Sequence, residues 1–164
     1  MNFKHINLGC GTDYKKGYIN IDMVSKPDIL INPDLVFDIE KEKLPFETET
    51  IEEVYCSHII EHISFSKVTY LLEEIYRILA PGGKLFIIVP DLETICRRFL
   101  AGENFQMLEW FFGNQYHEGE YHKCGFNTLM LERLLNGLKF RSVVVIGRLN
   151  EAGTMQYLYA TSVK

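Results

Sequence analysis

The chain has 164 residues, which is enough for one ordinary domain with a sizeable core. Its 17 lysines and arginines against 22 aspartates and glutamates give a net charge of −5, so the basic surface typical of nucleic-acid-binding proteins is not expected. The four widely spaced cysteines form no Cys-x-x-Cys pair, which argues against a disulfide framework and favours a cytoplasmic location. No signal peptide or membrane-spanning run is predicted, so we expect a single domain over residues 1–164 with no nucleic-acid partner and no membrane insertion.

Four short apolar segments in the first third of the chain predict β-strands, and a glycine, aspartate or serine closes each of them. They are Ile6–Leu8, Tyr18–Asp22, Leu35–Asp38 and Glu53–Ser57. Only eleven positions separate Gly11 from Asp22, whereas about 20 is usual between a glycine-rich turn and the next strand-end carboxylate. Pro27 and Pro33 interrupt the following connection. We therefore expect the first helices of the fold to be shortened or missing.

The rest of the chain alternates predicted helices and strands. From Ser66, apolar residues recur at helical spacing until Pro81-Gly82-Gly83 ends the helix, and Lys84–Pro90 is a buried strand. Further elements are a helix over Thr94–Ala101, a mixed helix and loop over 103–124, a helix over Asn127–Leu138, and two strands at Ser142–Ile146 and Gln156–Val163. This order predicts an α/β fold with a mostly parallel sheet covered on both faces, in which the last two strands pair as a hairpin.

Polar residues and glycines collect at the predicted strand ends, where an open parallel sheet binds its ligands. The glycines of the segment 9–11 lack a Cβ atom, so the backbone there can approach a ligand closely. Asp22 can accept two hydrogen bonds from ribose hydroxyls, and Asp38 can accept one from an adenine amino group. Ser57 and His58 follow the fourth strand. Each feature alone is typical of a turn or a helix cap, but the four in this order predict a nucleotide-type ligand site.

These segments together resemble the class I S-adenosylmethionine (SAM)-dependent methyltransferases, in particular the small type-11-like branch. The carrying segments are INLGCG (6–11), GYINID (17–22), FDIEKEKLPF (37–46), EVYCSHIIEHI (53–63), LLEEIYRILAPGGKLFIIVPDL (71–92) and HKCGFNTLMLERLL (122–135). The resemblance implies a Rossmann-like, mostly parallel seven-stranded sheet with an antiparallel last strand. It also implies SAM as the cofactor.

The resemblance further implies which residues contact the cofactor. The implied residues are Leu8, Gly9, Cys10 and Gly11 around the methionyl part, Asp22 at the ribose, Asp38 and Ile39 beside the adenine, and Ser57 and His58 at the fourth strand. The family's usual acid two residues before the first glycine is Asn7 here, which can hydrogen-bond the SAM ammonium but cannot offset its charge. This departure and the shortened helices support a non-catalytic SAM-binding module as the alternative to an enzyme.

The segment His58-Ile59-Ile60-Glu61-His62 also fits the H-x-x-E-H pattern of certain zinc metallopeptidases. Two histidines four apart on a helix share a face and can bind zinc, with the glutamate as base. Because the segment follows a predicted strand end, where the methyltransferase resemblance requires it, we assign it to the cofactor site and predict no metal ligands. Zinc metallopeptidase stays the least favoured alternative.

The predicted function is transfer of a methyl group from SAM to a small-molecule acceptor, and the resemblance points to a sugar or cell-surface polysaccharide precursor. An oxygen acceptor must lose a proton, and imidazole exchanges protons near neutral pH. His58, His117 and His122 are therefore the candidate catalytic bases, with Glu61 as a further option. The polar segment 113–123 is the predicted acceptor lid. Shortened helices leave part of the sheet uncovered, so a homodimer is also an expected state.

Overall fold

The computed structural model describes residues 4–26, 31–116, 118–150, 153 and 155–164. The strands are β1 His5–Leu8, β2 Ile19–Asp22, β3 Leu35–Val36, β4 Ile51–Ser57, β5 Leu79–Pro90, β6 Arg141–Leu149 and β7 Gln156–Val163. The helices are α1 Phe65–Ile78, α2 Leu92–Leu100, α3 Asn104–Phe112 and α4 Thr128–Gly137. All seven strands join one sheet in the order β3-β2-β1-β4-β5-β7-β6.

Strand directions confirm the predicted α/β, Rossmann-like architecture. Strands β1 to β5 pair in parallel, and β7 runs antiparallel to both of its neighbours, β5 and β6. The predicted β6–β7 hairpin is present, with Val144 opposite Thr161. Because β2 and β4 flank β1, the ends of these three strands meet at one edge of the sheet, which is where the ligand site is expected.

Helix α1 covers the central strands with an apolar face, as its spacing predicts. Its buried apolar residues are Val68, Leu71, Leu72, Ile75 and Ile78. The following strand begins at Leu79, five residues before the predicted Lys84, because Leu79 already pairs with Ile51 ahead of a bulge. Helix α4 begins as predicted, since the Asn127 side chain accepts a hydrogen bond from the Met130 N–H (2.9 Å) and caps its first turn.

The connection between β1 and β2 contains no helix, and a buried amide organises it instead. Asn20 is fully buried, and its Oδ1 accepts hydrogen bonds from Asn7 Nδ2 (2.9 Å) and the Lys15 N–H (2.8 Å). Its Nδ2 donates to the Lys15 carbonyl (3.0 Å) and to Asp34 Oδ2 (3.0 Å). The expectation of a missing first helix is therefore confirmed. The described part of the β2–β3 connection, 23–26 and 31–34, is also non-helical.

A second, smaller apolar cluster lies where α2 and α3 meet the end of the sheet, and it contains Ile95, Met107 and Met155. The predicted mixed region 103–124 is thus divided into the helix α3 and a following segment with a short 3-10 turn at Glu118–Glu120. Among the described residues, no helix combines the length and apolar character needed to cross a bilayer.

Candidate cofactor and acceptor site

A cavity of about 480 Å³ opens beyond the carboxyl ends of β1, β2 and β4. Eight of the nine predicted cofactor residues line it, namely Gly9, Cys10, Gly11, Asp22, Asp38, Ile39, Ser57 and His58. Leu8 is the exception, because its side chain is 1% exposed and packs in the main core. The expectation that Leu8 contacts the cofactor therefore does not extend to its side chain. The volume falls within the range of small-ligand sites, roughly 300–1,000 Å³.

The glycine loop after β1 depends on two glycines for different reasons. Gly9 has a φ of +66°, and an added Cβ would lie 1.7 Å from Cδ1 of Ile59. Gly11 has a φ of +47°, but a Cβ there would meet nothing within 4 Å, so its side facing the cavity is open. This is the kind of loop that lets a ligand approach the backbone, which fits the methionyl part of SAM.

Asp22 is joined directly to the glycine loop despite the short connection between them. Its Oδ2 accepts a hydrogen bond from the Gly11 N–H (2.8 Å), and its Oδ1 accepts one from the Val24 N–H (3.2 Å). Each carboxylate oxygen has a further lone pair. The half-buried side chain can therefore still accept hydrogen bonds from two ribose hydroxyls.

Cys10 lies between the two glycines and is buried. Burial and the neighbouring Asp22 carboxylate raise the pKa of the Cys10 thiol to about 11. This shift favours the protonated thiol at neutral pH over the reactive thiolate.

Asp38 closes the cavity on the side expected for adenine. Its Oδ2 lies 2.8 Å from Lys41 Nζ, and its Oδ1 accepts a hydrogen bond from the Glu40 N–H (3.0 Å). The Lys41 hydrogen bond, with help from the Glu40 N–H, holds the pKa of Asp38 below its ordinary value against the opposing effect of burial. The carboxylate is thus an ionised acceptor at neutral pH.

Glu40 is a structural residue of this cavity that sequence analysis missed. Its carboxylate accepts hydrogen bonds from the Ser64 N–H (2.6 Å), at the start of α1, and from Lys123 Nζ (2.7 Å). Burial alone would raise the pKa of Glu40, but these two donors hold it at about 2. The partners are 24 and 83 residues away in sequence, so no local pattern could have identified them.

His58 is held at the cavity wall by an unusual backbone conformation. Its φ is +55°, and its N–H donates to the Ile88 carbonyl (2.8 Å), which aligns the end of β4 with β5. The ring packs edge-on against Tyr157 with centroids 4.8 Å apart. Its Nδ1 lies 3.3 Å from Glu61 Oε1, outside hydrogen-bond geometry. His58, a candidate base, therefore lines the cavity and has the Glu61 carboxylate next to its Nδ1.

A second cavity of about 230 Å³ adjoins the first, and His122 lines it together with Glu61, Trp110 and Phe111. Lys123 lines both cavities. The structure thus places two of the predicted bases, His58 and His122, on neighbouring cavities. The third, His117, lies outside the described residues.

The H-x-x-E-H segment does not form the helix that the zinc-peptidase alternative requires. Residues Ile60–His62 form a 3-10 turn, and His58 lies before it in a left-handed conformation. The two histidines of the pattern therefore do not share a helical face. Instead, His62 packs against His122 from the predicted lid, with ring centroids 4.7 Å apart. Burial lowers the pKa of His62 below its ordinary value, which favours the neutral ring.

Comparisons with known proteins agree with this architecture. Residues 6–87, half of the chain, match a family model described as a methyltransferase domain. The uncharacterized methyltransferase YodH of Bacillus subtilis is 29% identical over 135 residues, which cover 72% of this chain and 55% of YodH. An uncharacterized protein of Saccharomyces cerevisiae is 46% identical over 52 residues, which cover 32% of this chain and 6% of that protein. The chain thus spans about half of YodH and a small part of the yeast protein.

Solved structures share the fold at low sequence identity. A SAM-dependent methyltransferase from Archaeoglobus fulgidus matches with a TM-score of 0.68 and 16% identity, over 99% of this chain and 88% of that one. The 1,6-didemethyltoxoflavin-N1-methyltransferase of Burkholderia thailandensis, solved with S-adenosylhomocysteine, matches with a TM-score of 0.65 and 14% identity, over 98% of this chain and 70% of that one.

The fold and the family match define a class I methyltransferase domain. The chain belongs to the methyltransferase domain family, which confirms the resemblance drawn from its motifs. The prediction of SAM as the cofactor is supported by the same matches, since SAM is the methyl donor of this class.

Proposed function

We propose that this protein transfers a methyl group from SAM, bound in the larger cavity, to a small molecule bound in the smaller one. The observation that carries the proposal is the convergence of eight predicted cofactor residues on one cavity of ligand size. A second cavity adjoins it, and Lys123 lines both. The candidate base His58 lines the larger cavity, and the candidate base His122 lines the smaller one. Two connected sites, one for each reactant, are what a group transfer between two bound molecules requires.

The protein's main contribution is positioning. SAM supplies a methyl group on a positively charged sulfur, and transfer forms a bond from the acceptor to this carbon as the carbon–sulfur bond breaks. Holding two reactants in line is worth up to roughly 7–11 kcal/mol of the barrier in favourable cases. Asp22 and the glycine loop fix one reactant, and the hydrogen bond from Gly11 to Asp22 fixes them relative to each other.

His58 is the residue best placed to take the proton from an oxygen acceptor. It lines the larger cavity, and Glu61 Oε1 lies 3.3 Å from its Nδ1. A carboxylate beside the ring stabilises the imidazolium that forms when the other nitrogen receives the proton. His122 is the second candidate, on the side of the acceptor cavity. His117 stays a prediction.

A sugar or polysaccharide precursor is the acceptor class we propose. The smaller cavity combines the aromatic side chains of Trp110 and Phe111 with the polar groups of His122 and Lys123. Aromatic faces pack against the apolar faces of sugar rings, while polar groups orient the hydroxyls. This chemistry and the family resemblance support the same acceptor class.

A non-catalytic SAM-binding module is the second candidate function, and Asn7 favours it. The Asn7 amide nitrogen donates to the Asp13 carbonyl (2.7 Å) and to Asn20 Oδ1 (2.9 Å), so it organises the loop in place of the family's acid. In the predicted hydrogen bond, the SAM ammonium would have to donate to the remaining amide oxygen of Asn7.

Two measurements separate these candidates. Calorimetry with SAM and S-adenosylhomocysteine tests the cofactor site, and absence of binding by folded protein would refute both. Incubation with labelled SAM and a panel of sugar, phenol and amine acceptors then tests turnover. Transfer to a sugar supports the enzyme and its acceptor class. Tight SAM binding with no transfer to any acceptor favours the binding module.

We propose that the protein acts in the cytoplasm, which its four free cysteines support. The homodimer expected from the shortened helices also stays a proposal. Sedimentation equilibrium of the purified chain tests it, and a monomer across the micromolar range would refute it.

A further inference from the structure

A buried carboxylate, which the proposed function uses only as a neighbour of His58, lines the smaller cavity. Glu61 is 1% exposed, and within the described part of the chain neither of its carboxylate oxygens has a hydrogen-bond partner. Buried polar groups in native proteins nearly always have partners, because an unpaired one carries its full desolvation cost. A missing positively charged ligand is one physical explanation for such a group.

Two histidines complete a set of metal-ligating side chains around this carboxylate. Glu61, His62 and His122 each offer one ligand atom, and these atoms all lie within 4.8 Å of one another. Two of the residues come from the 3-10 turn after β4, and His122 comes from the segment after α3. A cation at their centre would therefore be bound by residues 60 positions apart in sequence.

Both imidazole rings are oriented as metal-binding histidines commonly are. His62 Nδ1 lies 3.2 Å from the Tyr121 carbonyl oxygen, and His122 Nδ1 lies 2.9 Å from the Trp110 carbonyl oxygen. A carbonyl oxygen only accepts, so each Nδ1 carries the hydrogen and each Nε2 keeps a free lone pair. A backbone carbonyl on the second ring nitrogen is the usual means of fixing the tautomer of a metal ligand.

The backbone also holds the two halves of the cluster together. The Lys123 and Cys124 N–H groups both donate to the Glu61 carbonyl (2.7 and 3.1 Å), so the segment carrying His122 is pinned to the segment carrying Glu61 and His62. The nearby Lys123 ammonium is held by Glu40 (2.7 Å) and does not neutralise Glu61. The other nearby group that can carry a positive charge, His58, lies with its Nδ1 3.3 Å from Glu61 Oε1 and makes no hydrogen bond to it.

We propose that Glu61, His62 and His122 bind a divalent transition-metal ion of the Zn²⁺ class. Imidazole nitrogens select such ions over Mg²⁺ and Ca²⁺, which prefer oxygen ligands. Three protein ligands leave at least one coordination position open. Because His62 lines the larger cavity while Glu61 and His122 line the smaller, the ion lies at the junction of the two. If the proposed function holds, the open position takes a hydroxyl oxygen of the methyl acceptor and lowers its pKa.

Zinc binding by the whole chain tests the site directly. Chelator-treated protein is titrated with Zn²⁺ in competition with a chromophoric chelator, and bound metal is counted by elemental analysis. We expect one Zn²⁺ per chain and no comparable binding of Mg²⁺. His62→Ala and His122→Ala should each weaken Zn²⁺ binding by about 100-fold or more, since even loss of a partner outside the ligand set costs 10–100-fold. His5→Ala, a half-exposed histidine on β1, is the matched control and should bind Zn²⁺ as the unmodified chain does.

Glu61→Gln provides a readout that does not depend on metal titration. The substitution removes the carboxylate ligand, so added Zn²⁺ should raise the melting temperature of the native chain but not that of the variant. The proposal is overturned if Zn²⁺ fails to bind the native chain, or if the histidine variants bind it as His5→Ala does. Calorimetry with SAM on the same samples distinguishes this failure from failure of the proposed function, because the glycine loop and Asp22 are unchanged.

Discussion

Gly11 donates its backbone N–H to Asp22 Oδ2 across 2.8 Å, so the glycine loop and the predicted ribose acid form one unit. In this chain the two are only eleven residues apart, and the intervening segment has no helix. The hydrogen bond shows how a shortened connection can still place both groups at the cavity.

Asp22→Asn should weaken SAM binding while leaving the fold intact. The amide oxygen can still accept the Gly11 hydrogen bond, but the charge that strengthens hydrogen bonds from ribose hydroxyls is lost. Hydrogen bonds to charged groups contribute about 1.5–3 kcal/mol, so we expect affinity for S-adenosylhomocysteine to fall about 10–100-fold by calorimetry. Glu73→Gln, at an exposed carboxylate on α1 that lines neither cavity, is the control. Equal losses in the two variants would contradict the assignment of Asp22 to the ribose.

Gly9→Ala should destabilise the protein more than Gly11→Ala. Both residues have positive φ, which costs an alanine about 1–2 kcal/mol. At Gly9 the new methyl group would also overlap Ile59, and such overpacking adds typically 1–3 kcal/mol. Urea denaturation measures both changes. The added Ile59→Ala substitution removes the overlapping atoms, so it should reduce the extra cost of Gly9→Ala, and failure to do so would refute the packing explanation.

Asn20→Ala should destabilise the chain by about 2 kcal/mol or more, because it leaves several buried partners of the amide unpaired. These include Asn7, Asp34 and the backbone of Lys15. Asn136→Ala, at a solvent-exposed position on α4, removes an amide without this cost and serves as the control. Chemical denaturation compares them. A small effect at Asn20 would mean that the β1–β2 connection is held by other contacts.

The Asn20 network also shows where sequence analysis reaches its limit. The alternation of strands and helices, α1, α4 and the cavity residues Asp22 and Asp38 follow local patterns of apolar spacing, glycine and strand-end carboxylates, and the sequence predicts them. The replacement of a helix by a buried amide depends on contacts across strands, which no periodicity reveals. The H-x-x-E-H motif singled out Glu61 and His62, but it placed His58 and His62 on one helical face, which the structure does not form. The third partner of Glu61 and His62, His122, was identified as a candidate base, but its contact with them needed the fold.

The hydrogen bonds of Glu40 link the predicted lid to the rest of the larger cavity, and we predict that acid breaks this tether. The pKa of the Glu40 carboxyl is lowered from 4.5 to about 2, so its stabilising contribution is complete above pH 4.5 and is lost as the pH falls toward 2. Thermal melts between pH 6 and pH 3 should therefore show a smaller loss of stability for Glu40→Gln than for the native chain, since the variant has no proton to bind there. Glu42→Gln, an exposed carboxyl on the same loop, is the control. Parallel pH profiles for Glu40→Gln and the native chain would refute the tether.

His58→Gln distinguishes the enzyme from the binding module once an acceptor is known. Loss of a general base typically lowers turnover 10²–10⁴-fold, whereas cofactor binding should change little because Asp22 and the glycine loop remain. The cavity contact of His58 and its neighbour Glu61, 3.3 Å away, are the structural basis of this expectation. Steady-state kinetics measures kcat, and calorimetry with S-adenosylhomocysteine measures binding on the same preparation. Raising the pH should partly restore turnover in the variant if the missing step is proton removal from a hydroxyl, because solvent hydroxide then takes the proton. Unchanged kcat would exclude His58 as the base and leave His122 as the described candidate on the acceptor cavity.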